Sequence, residues 1–193
     1  MLEIRKKVIE IAQRAEEQGL CRFRSGNFSI ADRDNNRFYI TPSGADRKTM
    51  APEDIPLISL DGGILKNGAH GKPSIETDMH RLCYLARPEI GAIVHTHSHY
   101  ATVFAIKGIP IRPVADEAIF YGKEVVFADY APPGTDDLAH HVSEALKKCD
   151  VVLLRNHGVL TCGKDIEEAF LKAMYVEHVA KLYFHTLILD NIG

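Results

Sequence analysis

Two short segments hold the residue types that do metal chemistry. Ile93-Val94-His95-Thr96-His97 closes an apolar run with histidines two residues apart. In a strand, positions i and i+2 project from the same face, so two imidazoles can aim at one point while Thr96 faces away. Neutral imidazole nitrogens suit Zn²⁺, which takes them at about 2.0 to 2.1 Å and keeps one position open when it is catalytic. A third ligand is then needed. Arg155-Asn156-His157-Gly158 offers it at the mouth of a second apolar run, Val151 to Leu154, beside a glycine that permits close approach. His99, one strand step beyond the pair, is the best substitute ligand. His99 itself, with His70, His80, His140, His141, His178 and His185, is nevertheless expected to be structural or solvated.

Proton transfer needs a further group. Glu76 lies in Pro73-Ser74-Ile75-Glu76-Thr77 at the start of a helical stretch, where the positive end of the helix favours a carboxylate. Helix capping alone would explain it. Next to a Lewis-acidic metal, however, a carboxylate that accepts and returns a proton is what carbanion chemistry requires.

These residues have to be carried by a scaffold. Residues 2 to 18 put Ile4, Val8, Ile11, Ala12 and Ala15 on one helical face, with Gly19 as a stop. Segments 28–30 and 37–41 predict a hairpin across an Asp/Asn turn, and a second hairpin folds over Asp61-Gly62-Gly63. Helices are expected over 74–86, 98–106 and 135–148, and strands over 90–97, 125–128 and 151–155. Asp165-Ile-Glu-Glu168 opens a long final helix as a capping box. Strands and helices interleaved with hairpins predict a single α/β/α layered domain over residues 1–193, its central sheet mostly antiparallel.

Composition narrows the function. The chain has 193 residues, is 46% hydrophobic and 25% charged, and carries a formal net charge of −3, which suits an ordinary soluble domain and gives no cationic field for nucleic acid. No apolar run approaches the roughly 18 residues of a membrane span, so a cytoplasmic protein is expected. The cysteines, Cys21, Cys83, Cys149 and Cys162, form no CxxC and are expected to be reduced and structural.

His95-Thr-His97, Asn156-His157-Gly158, Ser25-Gly26-Asn27, Thr41-Pro42-Ser43-Gly44 and Pro73-Ser74-Ile75-Glu76 occur together, with Tyr130-Ala-Pro-Pro-Gly134-Thr135 and a long closing helix. In this combination the chain resembles the class II aldolase/adducin family over nearly its whole length. The resemblance implies one Zn²⁺ per subunit on His95, His97 and His157, with Mn²⁺, Co²⁺ or Fe²⁺ as substitutes that imidazoles also accept. It makes Glu76 the acid/base and assigns the phosphate of a sugar phosphate to Gly26, Asn27, Ser43, Gly44 and Ser74. Glycine-flanked amides with hydroxyl and amide side chains are able to cradle phosphate without much net charge.

The reaction implied is cleavage of a ketose 1-phosphate such as L-fuculose 1-phosphate into dihydroxyacetone phosphate and an aldehyde, through a metal-stabilised enediolate. Related 4-epimerases, dehydratases and decarboxylases share that logic, and the adducin branch uses the fold as a binding module without catalytic zinc. A homotetramer with sites between subunits is also implied. A second acid/base residue would come from Val114 to Gly122 of a neighbouring subunit, with Glu117 the candidate and Asp116 and Tyr121 behind it. Three departures stand out. Ile75 replaces a phosphate-binding serine, Pro133 replaces an aromatic residue, and the chain stops at Gly193, so a tail tyrosine that closes the site is expected to have no counterpart.

Overall fold

In the computed structural model, residues 1–122, 125–190 and 192 are described. The helices are α1 (Leu2–Glu17), α2 (Thr77–Ala86), α3 (His99–Lys107), α4 (Asp136–Leu146) and α5 (Ile166–Leu189). The strands are β1 (Asn27–Asp32), β2 (Arg37–Ile40), β3 (Leu57–Ser59), β4 (Ile64–Lys66), β5 (Ala92–Thr96), β6 (Val126–Ala128), β7 (Val151–Leu154) and β8 (Gly158–Gly163). They form one sheet in the order β4-β3-β2-β1-β5-β8-β7-β6. Every described pairing is antiparallel except β6 with β7.

Alternation along each strand sends successive side chains to opposite layers. Ile93 joins Met79, Cys83 and Tyr84 of α2 and Leu138 and Val142 of α4 on one face. Val94 and Phe28 join Val8, Ile11, Ala12, Ala169 and Ala173 of α1 and α5 on the other. Further along that second face, Val151, Leu153 and Val159 pack with Ala101 and Phe104 of α3 and Val176 and Val179 of α5. The layered, mostly antiparallel architecture expected from sequence is therefore the one observed. Because His95 follows Ile93 by two residues, it points toward the α2 layer.

The expected elements are present, with ends moved by one to three residues. The addition is β8, whose Gly-Val-Leu-Thr-Cys-Gly sequence is assigned no element from sequence alone. It completes a hairpin with β7 and pairs along all of β5, with His95 opposite Leu160 and Thr96 opposite Val159. Asn156 turns that hairpin at φ 58°, a left-handed conformation that asparagine tolerates.

At the head of α5, Asp165 accepts a hydrogen bond from the Glu168 amide at 2.9 Å, as a cap should. Glu168 returns to the Lys164 amide at 3.0 Å, one residue outside a regular capping box. Asp165→Ala should therefore lower the unfolding free energy by about 1 kcal/mol, while Asp165→Asn should leave it nearly unchanged, as read by urea denaturation.

Candidate metal centre

The end of β5 and the β7–β8 turn converge, bringing His95, His97 and His157 together with one ligand atom from each within 4.8 Å of the others. The His95 and His97 Nε2 atoms face each other at 3.2 Å. Ligands on a tetrahedral ion at Zn–N distances stand about 3.3 Å apart. His95 Nδ1 lies 3.0 Å from the Val159 carbonyl, so that nitrogen carries the hydrogen and donates it, leaving the Nε2 lone pair aimed into the cluster. Gly158 is indispensable to this approach, since a Cβ there would lie 2.4 Å from the Thr96 carbonyl oxygen and 3.1 Å from the His97 ring.

All three rings are held neutral, the state that binds a cation. Burial drives His95 well below the ordinary histidine value, and the His157 and His97 rings add to the effect. Burial, the His157 ring and the Arg47 charge push His97 down to about 4. Burial also lowers His157, opposed by the Glu76 carboxylate. Cys21 lies nearby, but burial pushes its thiol up to about 11, so it stays protonated and is no rival ligand.

Glu76 stands at the N-terminus of α2 with Oε2 3.4 Å from His95 Nε2 and Oε1 3.4 Å from His157 Nε2. Both separations are long for direct ion pairs. Oε1 and His157 Nδ1 are buried with no hydrogen-bond partner among the described residues. Two ring nitrogens facing across 3.2 Å and an orphaned carboxylate oxygen are the arrangement a divalent cation would satisfy, and the residues fit one.

The other Glu76 oxygen is tied into the interior. Asn27 Nδ2 donates to Oε2 at 2.7 Å. Because that amide nitrogen must face the carboxylate, Asn27 Oδ1 faces His80 Nε2 at 2.6 Å and accepts its hydrogen. His80 Nδ1 is then the acceptor for the Ser29 hydroxyl at 2.6 Å, and Ser29 in turn accepts from Tyr84 at 2.7 Å. Full burial lowers His80 to about 3 and pushes the Tyr84 hydroxyl far up, so both remain neutral.

The segments proposed to cradle an anion also meet. Ser43 N donates to the Lys72 carbonyl at 2.9 Å and Ser74 N to the Thr41 carbonyl at 3.2 Å. Ser43 and Gly44 are exposed, and the Ser74 hydroxyl, which is buried, accepts from the Glu76 amide at 3.2 Å. Gly26, at φ +80°, has Cys21 Sγ and the His95 carbonyl each 2.6 Å from where a Cβ would stand. Asn27 differs from its expected use, because its side chain is occupied by Glu76 and His80. A recess of about 280 Å³ lined by Arg22, Phe23, Ser25, His97 and His99 opens beside the cluster.

Residues 6–184 match the family model for the class II aldolase and adducin N-terminal domain. The chain belongs to the class II aldolase and adducin family. An L-fuculose phosphate aldolase of Methanococcus maripaludis is 41% identical over 86% of this chain and 87% of its own. A 5-deoxy-D-ribulose 1-phosphate aldolase of Bacillus thuringiensis is 35% identical over 94% and 84%. A solved L-fuculose 1-phosphate aldolase superposes with a TM-score of 0.91 at 32% identity, covering 99% of this chain and 88% of that one. The protein is an enzyme of the lyase class in a metal-dependent family, and its three histidines form the group suited to the metal.

Two further residues lie outside the cluster, the substitute ligand His99 and the inter-subunit candidate Glu117. His99 is exposed on the first turn of α3, its ring 5.4 Å from Tyr100 and outside the cluster. Glu117 belongs to a 3₁₀ turn, Asp116–Tyr121, and lines a groove of about 840 Å³ with Arg14, Lys164, Glu167 and Phe170, which none of the three histidines touches. Within one chain Glu117 does not meet Glu76. His80, expected to be bland, was the residue sequence reasoning missed. Its signal was the spacing of Glu76, His80 and Tyr84 at i, i+4 and i+8 on one helix face, opposite Asn27 and Ser29 at i and i+2 on a strand.

Between the ordinary histidine value of 6.5 and about 3, the unfolded chain binds a proton that native His80 refuses. Stability therefore falls as pH falls through this window. From pH 6.5 to 5, unfolding free energy should drop about 2 kcal/mol more in the native sequence than in His80→Gln, measured by denaturant titration at each pH.

Proposed function

We propose that the enzyme cleaves a ketose 1-phosphate to dihydroxyacetone phosphate and an aldehyde, with Zn²⁺ on His95, His97 and His157. The observation that carries this reading is Glu76, with both carboxylate oxygens 3.4 Å from ring nitrogens of the histidine cluster. A divalent ion bound there supplies Lewis-acid polarisation of the substrate's carbonyl and neighbouring hydroxyl. The relatives named for L-fuculose phosphate and for 5-deoxy-D-ribulose 1-phosphate support the substrate class, since both names describe phosphorylated sugars.

Glu76 is suited to carry the proton to and from carbon. Its Oε2 is fixed by Asn27, and Oε1 has no protein partner among the described residues, so one oxygen positions the carboxylate and the other is left to react. Cleavage breaks the bond between the carbon bearing the nascent aldehyde hydroxyl and the carbon next to the ketone. The electron pair stays on the ketone side, and Glu76 delivers a proton to that carbon. The hydroxyl proton goes to a second base, for which Glu117 of an adjacent subunit is our candidate. Ser43, Gly44, Ser74 and the Gly26–Asn27 backbone are assigned to the phosphate.

This use of Glu117 requires an oligomer, for which the family resemblance suggests a homotetramer, and exposed Ile119, Phe120, Leu182, Ile188 and Leu189 supply apolar surface for subunit contact. No helix among the described residues is long and apolar enough to cross a membrane. The enzyme's sugar-phosphate chemistry supports a cytoplasmic location.

Metal-loaded enzyme incubated with L-fuculose 1-phosphate or 5-deoxyribulose 1-phosphate should release dihydroxyacetone phosphate, detected with a coupled dehydrogenase. Epimerised or dehydrated sugar without carbon–carbon cleavage would replace this reading. Glu76→Gln should keep its metal and lose roughly 10²- to 10⁴-fold in kcat. Glu117→Gln should lower kcat at least about tenfold with metal content intact; full activity in that variant would remove Glu117 from the mechanism.

A further inference from the structure

We propose that Arg47 is the fixed cation of the anion site built from residues 25–27 and 43–44, and that the substrate phosphate is the countercharge it lacks. The inference rests on the sugar-phosphate reading above. It concerns a residue that acts from behind the site and touches no substrate atom.

Arg47 is only 4% exposed. Its Nη2 donates to the carbonyl oxygens of Ser25 and Gly26, the latter at 3.3 Å, and its guanidinium lies 5.6 Å from the centre of the Phe28 ring. Nη1 is buried with no hydrogen-bond partner, and Arg47 forms no ion pair among the described residues. The adjacent Asp46 faces Arg24 instead, at 3.9 Å. Gln13 of α1 donates to the Arg47 carbonyl at 2.8 Å, which pins the backbone from which the side chain extends.

An interior cation with carbonyl dipoles but no carboxylate is uncommon, because desolvation is expensive unless a counter-ion repays it. Here the deficit deepens when the nearby histidines take up a divalent ion. The charge set is then the ion, Arg47 and the Glu76 carboxylate, a surplus of two positive charges that a phosphate dianion cancels. The backbone geometry agrees. A trans peptide points its N–H away from its C=O, so turning the Ser25 carbonyl onto Arg47 turns the Gly26 amide the opposite way. Arg47 thus both orients the glycine loop and lends it the positive potential that its neutral residues lack.

Calorimetric titration of metal-loaded protein with inorganic phosphate tests this directly. Arg47→Met should bind phosphate roughly ten- to a hundredfold more weakly than the native sequence, and Arg47→Lys, which keeps the charge, should recover most of the affinity. If Arg47→Met does not fold, Arg47→Gln, which keeps a donor, takes its place. In turnover, the ratio of kcat/KM for a ketose phosphate to that for the dephosphorylated sugar should fall by a similar factor in the neutral variant. Phosphate affinity within about twofold of native in that variant, or no phosphate binding by the native protein, would overturn the proposal. A native enzyme that binds phosphate through Arg47 but cleaves no ketose phosphate would sink the assigned reaction and leave Arg47's role standing.

Discussion

The hydrogen bond from His95 Nδ1 to the Val159 carbonyl is the contact on which the site depends. It exists because β5 lies between β1 and β8, in a register that sets His95 beside Asn27 on one side and Leu160 on the other. One ladder therefore fixes the tautomer of a ring in the histidine cluster, the strand start that supplies Glu76's partner, and the turn that presents His157. Moving either neighbour by one residue would send the corresponding side chains to the opposite layer.

Around that ladder the protein keeps opposite charges unequal. The histidines are neutral, and among the described residues Glu76 has one oxygen without a hydrogen-bond partner and Arg47 is a cation with no carboxylate partner. Each of these would be a defect in a structural core. Located at one convergence of loops, they form a place prepared for ligands that the polypeptide does not itself contain.

Much of this was legible in the residues. Strand periodicity put His95 and His97 on one face, and the amphipathic patterns of α1, α4 and α5 gave the layers. The convergence of the three histidines was readable because they lie close to apolar strand ends. What escaped was β8, bounded by glycines and carrying a polar Thr161, and its pairing with β5 depends on contacts more than sixty residues apart. His80 and Arg47 escaped for a related reason. Their meaning comes from partners on β1 and on the loop before it, and a buried arginine has the same letter as a solvated one. Asn27 was assigned to the substrate from resemblance alone, and only the geometry shows its side chain turned inward.

That inward turn has a consequence for proton economy. A carboxylate joined to an imidazole could lose its proton into the interior, but the link between Glu76 and His80 is the carboxamide of Asn27. An amide holds its hydrogens on nitrogen and does not readily hand them through to its oxygen. It therefore transmits polarisation while insulating the two groups from proton exchange. On the proposed mechanism, a proton collected by Glu76 would therefore stay on the cavity side, within reach of the substrate.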